Sequence, residues 1–174
     1  GFVWLKRVVP SLKRIYVPYH PGDMAMPVNL PALEQAAQRH QVELVIKEFF
    51  SKDDLAVVLS TPPKDVQAVW QLPSPYWSDI QKDVIESAIA HKLVLKVYSS
   101  VHVKEGAMIG YGLNENELGH QAARIADKIL RGSDPSKIPV EQTDFYLSLN
   151  LETARKIDMD IPEALIKEAD VVIR

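Results

Sequence analysis

Apolar segments with β-branched or aromatic content alternate along this chain with stretches of helical periodicity, and no other feature narrows the fold as much. Strand-like runs stand at Arg14–Tyr19, Val42–Phe49, Val66–Leu72, Leu93–Tyr98 and Ala107–Tyr111. Helical patterns fill the gaps, which is the signature of βαβ units and a mostly parallel sheet. The expected fold class is α/β: an open five-stranded parallel sheet flanked by helices.

Several helices announce their ends. Trp77, Ile80, Val84, Ile85, Ala88 and Ile89 recur at helical spacing between the third and fourth strands, and Ser51-x-x-Asp54 resembles a capping box opening the preceding helix. After the fifth strand, Leu118, Ala122, Ile125, Ala126, Ile129 and Leu130 form one apolar stripe that Gly132 stops. Ser133 to Glu141 holds Pro135 and Pro139 and reads as a connection; Phe145 to Leu149 alternates as a late strand, and the tail is two short helical pieces around Pro162. FVWLKRVV already reads as a helix two residues from the start, so the expectation is that something upstream has been removed.

Composition excludes several classes. A chain of 174 residues, 47% hydrophobic and 25% charged, can bury one good core. With net charge −3 and no dense basic run, a nucleic-acid partner is not expected. There is no cysteine, which removes disulfides, thiolate catalysis and cysteine-bound zinc. No apolar run approaches the length of a membrane span.

The stretch KEGAMIGYGLNENELG, Lys104 to Gly119, invites a phosphate-loop reading. Its glycines fit neither GxGxxG nor GxxxxGK[ST], and no lysine follows where one would reach a phosphate. Asn114 and Glu117 form an Asn-x-x-Glu capping-box variant, so Glu115 and Glu117 occupy the first turn of the helix and would repel an anion. No nucleotide and no cofactor is expected there.

In open parallel sheets, ligands bind beyond the carboxyl ends of the strands. That rule selects His20, Pro21, Gly22, Asp23 and Met24 after the first strand, Pro73 to Trp77 after the third, and Ser99 to His102 after the fourth. Hydroxyls, aromatics and histidines at one edge suit a small polar ligand with an apolar part. The candidate ligand-binding residues are His20, Asp23, Ser74, Tyr76, Trp77, Ser99 and Ser100, the serines donating hydrogen bonds and the aromatics supplying apolar contact. Tyr76 and Trp77 have an equally good reading as the packed first turn of a helix. His20, Asp23, His102 and Glu105 lack the spacing of a metal site, Ser99-Ser100 with His102 lacks a nucleophile elbow, and Glu115 and Glu117, two apart, do not face each other. His40, His91 and His120 read as surface or capping residues. Nothing requires catalysis, and neither an enzyme nor a metal is expected.

Three stretches resemble the substrate-binding proteins of a bacterial ABC-transporter family, a branch of the two-lobed type I periplasmic-binding fold that includes proposed tryptophan and tyrosine binders. LKRIYVPYHPGD is similar to the start of that family's second lobe. GAMIGYGLNENELGHQAARIADKILRGSDPSKIPVEQ is similar to its Gly-rich strand, Glu-Leu-Gly-Arg-Gln-Ala-Ala helix and Pro-Val-Glu connection, and SLNLETARKIDMDIPEALIKEADVVI to its closing segment. The resemblance implies a three-layer αβα lobe, with residues 1–112 as the second-lobe domain and 113–174 as the returning helix, connection and tail. It implies binding without catalysis: a small molecule, an amino acid among the candidates, captured between two lobes and delivered to an ABC permease in the periplasm or outside the cell membrane. Gly106 and Gly110-Tyr-Gly112 then belong to a structural strand and lobe crossing. His20 and Pro73-Ser74-Pro75 depart from the family pattern, which leaves the ligand unnamed. The helix Glu115 to Leu130 would pack on the other lobe, so this chain alone is expected to form a homodimer through it. Two rival readings use similar folds: the ligand-sensing domain of a regulator or receptor, and a flavodoxin-like α/β enzyme.

Overall fold

The computed structural model describes residues 1–77 and 79–174. Its strands are β1 (Arg14–Tyr19), β2 (Glu43–Glu48), β3 (Ala68–Trp70), β4 (Val94–Ser99), β5 (Ile109–Leu113), β6 (Phe145–Asn150) and β7 (Val171–Ile173). Its α-helices are α1 (Phe2–Val8), α2 (Met26–Arg39), α3 (Lys52–Ser60), α4 (Gln81–Ala90), α5 (Ser100–Glu105), α6 (Glu115–Leu130), α7 (Leu151–Lys156) and α8 (Glu163–Glu168). They build one seven-stranded sheet of order β2-β1-β3-β4-β5-β6-β7.

The sheet exceeds the five parallel strands read from sequence. Phe145–Asn150 joins it antiparallel to β5, and β7 then pairs parallel to β6. The first five strands are mutually parallel, as their helical crossovers require. Alternation along each strand separates two cores. On β1, Ile15 and Val17 enter one cluster with Phe2 and Leu5 of α1, Leu33 and Ala37 of α2, Ala154 of α7 and Leu165 of α8. Tyr16 points the other way, into a cluster with Leu55 and Leu59 of α3, Val84 and Ile85 of α4, and Val103 of α5. The period of two thus sorts one strand into both layers, giving a three-layer αβα body.

Local chemistry fixes the helix ends. Ser51 Oγ accepts the Asp54 N–H at 3.0 Å and opens α3, while Asp54 reaches back to the Phe50 N–H at 2.8 Å. Asn114 Oδ1 accepts from the Asn116 and Glu117 N–H groups and opens α6. Every other α-helix buries at least one residue on the sheet, whereas α6 buries none.

The glycines of the GYG stretch serve β5. The ladder between β4 and β5 slips between Val97 and Ser99, so that Ser99 pairs with Leu113. At Gly112 a Cβ would lie 1.7 Å from the Tyr98 carbonyl oxygen. Only glycine admits that close approach.

A candidate ligand edge at the carboxyl ends of β1 and β3

The chain leaves β1 through α2 on one face of the sheet and leaves β3 through α4 on the other. Between these neighbouring strands the order reverses, and in open sheets ligands bind at the carboxyl ends beside such a reversal. His20 follows β1 directly, and its ring stacks on Tyr76 from the segment after β3, with centroids 4.3 Å apart and planes 16° from parallel. Phe49 and Phe50, at the end of β2, meet the same imidazole edge-on at 5.6 and 6.3 Å. Phe50 is 64% exposed, so apolar ring surface faces solvent here.

Polar atoms around these rings are mostly oriented by backbone. The Gly22 N–H donates to His20 Nδ1 at 3.0 Å, which places the proton of the neutral ring on Nε2. Asp23 Oδ1 accepts the Ala25 N–H at 3.0 Å, and its Oδ2 is buried with no partner among the described residues. Ser74 Oγ accepts the Tyr76 N–H at a long 3.4 Å. Ser99 caps α5 by accepting the Val101 N–H at 3.1 Å, and its hydroxyl donates to Glu115. Ser100 beside it is buried. His102 Nδ1 lies 2.9 Å from Glu105, and its ring meets Tyr98 edge-on. Burial, with the Glu115 charge behind it, pushes the Tyr98 phenol up.

Of the seven sequence candidates, His20 and Tyr76 stack on each other with Ser74 bonded to the Tyr76 backbone, Asp23 turns back onto the His20 carbonyl, and Ser99 and Ser100 stand at the neighbouring end of β4. Trp77 lies elsewhere. Its indole is 1% exposed, packs edge-on to Phe49, and donates from Nε1 to the Leu72 carbonyl at 2.6 Å, so it belongs to the core. Sequence reasoning passed over Phe49 and Phe50, although the strand-end rule applied to β1, β3 and β4 reaches them at the end of β2. Among the described residues, no group of three His, Asp or Glu side chains could hold a metal.

One buried cation sits below this edge. Lys96, on β4 beside Trp70 on β3, is 5% exposed and holds its Nζ 4.2 Å from the Trp70 ring centroid. Desolvation draws its amine down to about 8. The ring's π face partly compensates a charge that has no carboxylate within ion-pair distance among the described residues.

Comparison with known proteins agrees with this architecture. The chain is 25% identical over 158 residues to an uncharacterized protein of Rickettsia prowazekii, covering 90% of this chain and 52% of the relative. It is 21% identical over 156 residues to a tyrosine-binding protein of Clostridioides difficile, covering 89% and 45%. The structure superposes on an ABC domain in complex with L-Trp from Streptococcus pneumonia with a TM-score of 0.85 at 19% identity, over 98% of this chain and 58% of that one. The chain thus spans about half the length of the curated relatives it matches. A family model described as ABC transporter substrate binding protein matches residues 3–173, nearly end to end, and the chain belongs to that family.

Proposed function

We propose that this chain is the second lobe of a two-lobed solute-binding protein that captures an amino acid with an aromatic side chain and presents it to an ABC permease outside the cytoplasm. The carrying observation is the partly uncovered ring cluster of His20, Tyr76 and Phe50 at the strand-order reversal, with Asp23 and Ser74 beside it. Flat rings there stack on a flat ring of the solute, and the polar groups orient its charged end. Two relatives whose names mention L-Trp and tyrosine support the same class. The chemistry is binding alone, with closure of the lobes excluding water from the solute.

In this reading residues 1–112 form the second-lobe domain, residues 113–174 cross to the other lobe and return, and α6 packs against that lobe. In this chain alone the exposed stripe of α6 is covered by a second copy, giving a homodimer. Calorimetry with L-tryptophan and L-tyrosine tests the reading, using this chain and a two-lobed form completed with a relative's upstream half. The two-lobed form binds one of them tightly and the single lobe binds it weakly. Failure of the two-lobed form to bind any aromatic amino acid overturns the assignment of the solute, and equal, tight binding by the lone chain overturns the two-lobe mechanism.

A further inference from the structure

Residues 114–144 form an arm on the body. It holds itself together through Glu141, which accepts from Gln121 at 3.1 Å and lies 3.8 Å from Arg124 and 3.9 Å from Lys128. Because α6 buries no residue, hydrophobic packing does not fix the angle at which the arm leaves the sheet. Among the described residues, the side-chain hydrogen bond that ties the arm to the body is the one between Ser99 and Glu115.

The sequence arranges that bond in steps. Gly112 lets β5 press against the Tyr98 carbonyl, the slipped ladder sets Ser99 opposite Leu113, and Asn114 caps α6 so that Glu115 is its first residue. The Glu115 carboxylate then reaches back over the end of β4. Ser99 is left with little spare capacity: its one O–H is donated to Glu115, and it accepts from the Val101 N–H that starts α5.

We infer that Glu115 is the positioning residue of the arm: its hydrogen bond to Ser99 latches the angle of α6 to the strand-end edge. A ligand group that takes over the Ser99 hydroxyl or the Glu115 carboxylate therefore releases the arm. This last coupling rests on the edge being a solute site, but the latch does not. The test uses the chain without ligand, so the two ideas fail separately.

The chain lacks cysteine, so spin labels can be placed at Ala123→Cys on α6 and Lys82→Cys on α4, both exposed positions. Every variant also carries Ile125→Glu so that no second copy covers α6, and labelled protein is diluted with the same unlabelled chain so that only distances within one chain are read by pulsed electron spin resonance. The parent pair gives one narrow distance distribution. Glu115→Ala roughly doubles its width, since no hydrogen bond then fixes the hinge. Glu115→Gln, which keeps an oxygen to accept the Ser99 hydroxyl, restores the narrow distribution. Ser99→Ala broadens it as Glu115→Ala does, and the double variant broadens it no further. Ser99 also caps α5, so Glu115→Ala, which leaves that cap intact, is the deciding variant, with circular dichroism confirming that it folds. A broad distribution in the parent, an unchanged width in Glu115→Ala, or a Glu115→Gln variant as broad as Glu115→Ala overturns the latch.

Discussion

The body and the arm follow opposite rules although both carry amphipathic helices. In the body, apolar positions recur on one face of each helix and that face is under the sheet: Leu55, Val58 and Leu59 of α3 and Val84, Ile85 and Ala88 of α4 are all buried. On α6 the same spacing places Leu118, Ile129 and Leu130 in solvent at 41%, 39% and 87% exposure. Periodicity therefore reports that a helix has a face to bury, and says nothing about whether the partner lies in the same chain.

Four substitutions would sharpen this division, in order of expected effect. Trp77→Ala should cost about 3–5 kcal/mol in urea unfolding, because it empties a large core site and strands the Leu72 carbonyl. A loss below about 1 kcal/mol would mean that the indole is not core and reopen its reading as a ligand contact.

Lys96→Met should stabilise the body by about 2 kcal/mol at pH 7. A drop from 10.5 to about 8 is worth about 3 kcal/mol against the charged form, and the contact with Trp70 offsets part of it. The sign follows from proton counting. Below about pH 8 the folded chain holds the charge in its core and bears the full deficit. Between about 8 and 10.5 the unfolded chain binds more protons than the folded one, so wild-type stability rises with pH. Unfolding curves of the methionine variant should lack that rise, and an identical slope in both proteins would refute the buried charge.

Tyr76→Ala should weaken binding of an aromatic amino acid to the two-lobed form by about threefold to tenfold, the range of one stacked ring pair. Unchanged affinity in calorimetry would remove the ring from the site. The smallest effect on folding is expected on the arm. Ile125→Glu should alter unfolding free energy by no more than about 0.5 kcal/mol while abolishing self-association in ultracentrifugation at tens of micromolar. A wild type already monomeric at that concentration would show that a second copy does not cover the stripe.

Much of the body was legible in the sequence. Arg14–Tyr19 is a strand at both its predicted ends, Ser51 and Asn114 accept the helix N–H groups expected of N-caps, with Asp54 reaching back one residue further to Phe50 and no return bond from Glu117 among the described residues, and Phe145 begins the late strand. What escaped has a common cause in distance along the chain. Val171–Ile173 is three half-buried residues whose strand character comes from pairing with Ser148–Asn150, and Asp170 secures the approach by accepting the Leu147 N–H. The antiparallel direction of β6 is set by where α6 and its connection return the chain, which no local pattern encodes. Nothing local marks Lys96 as buried, since its place beside Trp70 depends on neighbours far away in sequence. At the edge, the strand-end rule selects the segments after β1, β3 and β4, but telling Tyr76 as ring surface from Trp77 as core needs the turn at Pro75–Trp77, which no local pattern encodes.

The pairing of β5 with β6 has one more consequence. Leu113 and Phe145 are register partners across adjacent antiparallel strands, so the chain departs and re-enters the sheet at a single rung. Such a rung is where a β-hairpin would close with a tight turn. Residues 114–144 are therefore a graft on a hairpin stem: excised and replaced by Asn-Gly, they would leave the seven strands in order, as a minimal scaffold onto which other insertions could be spliced.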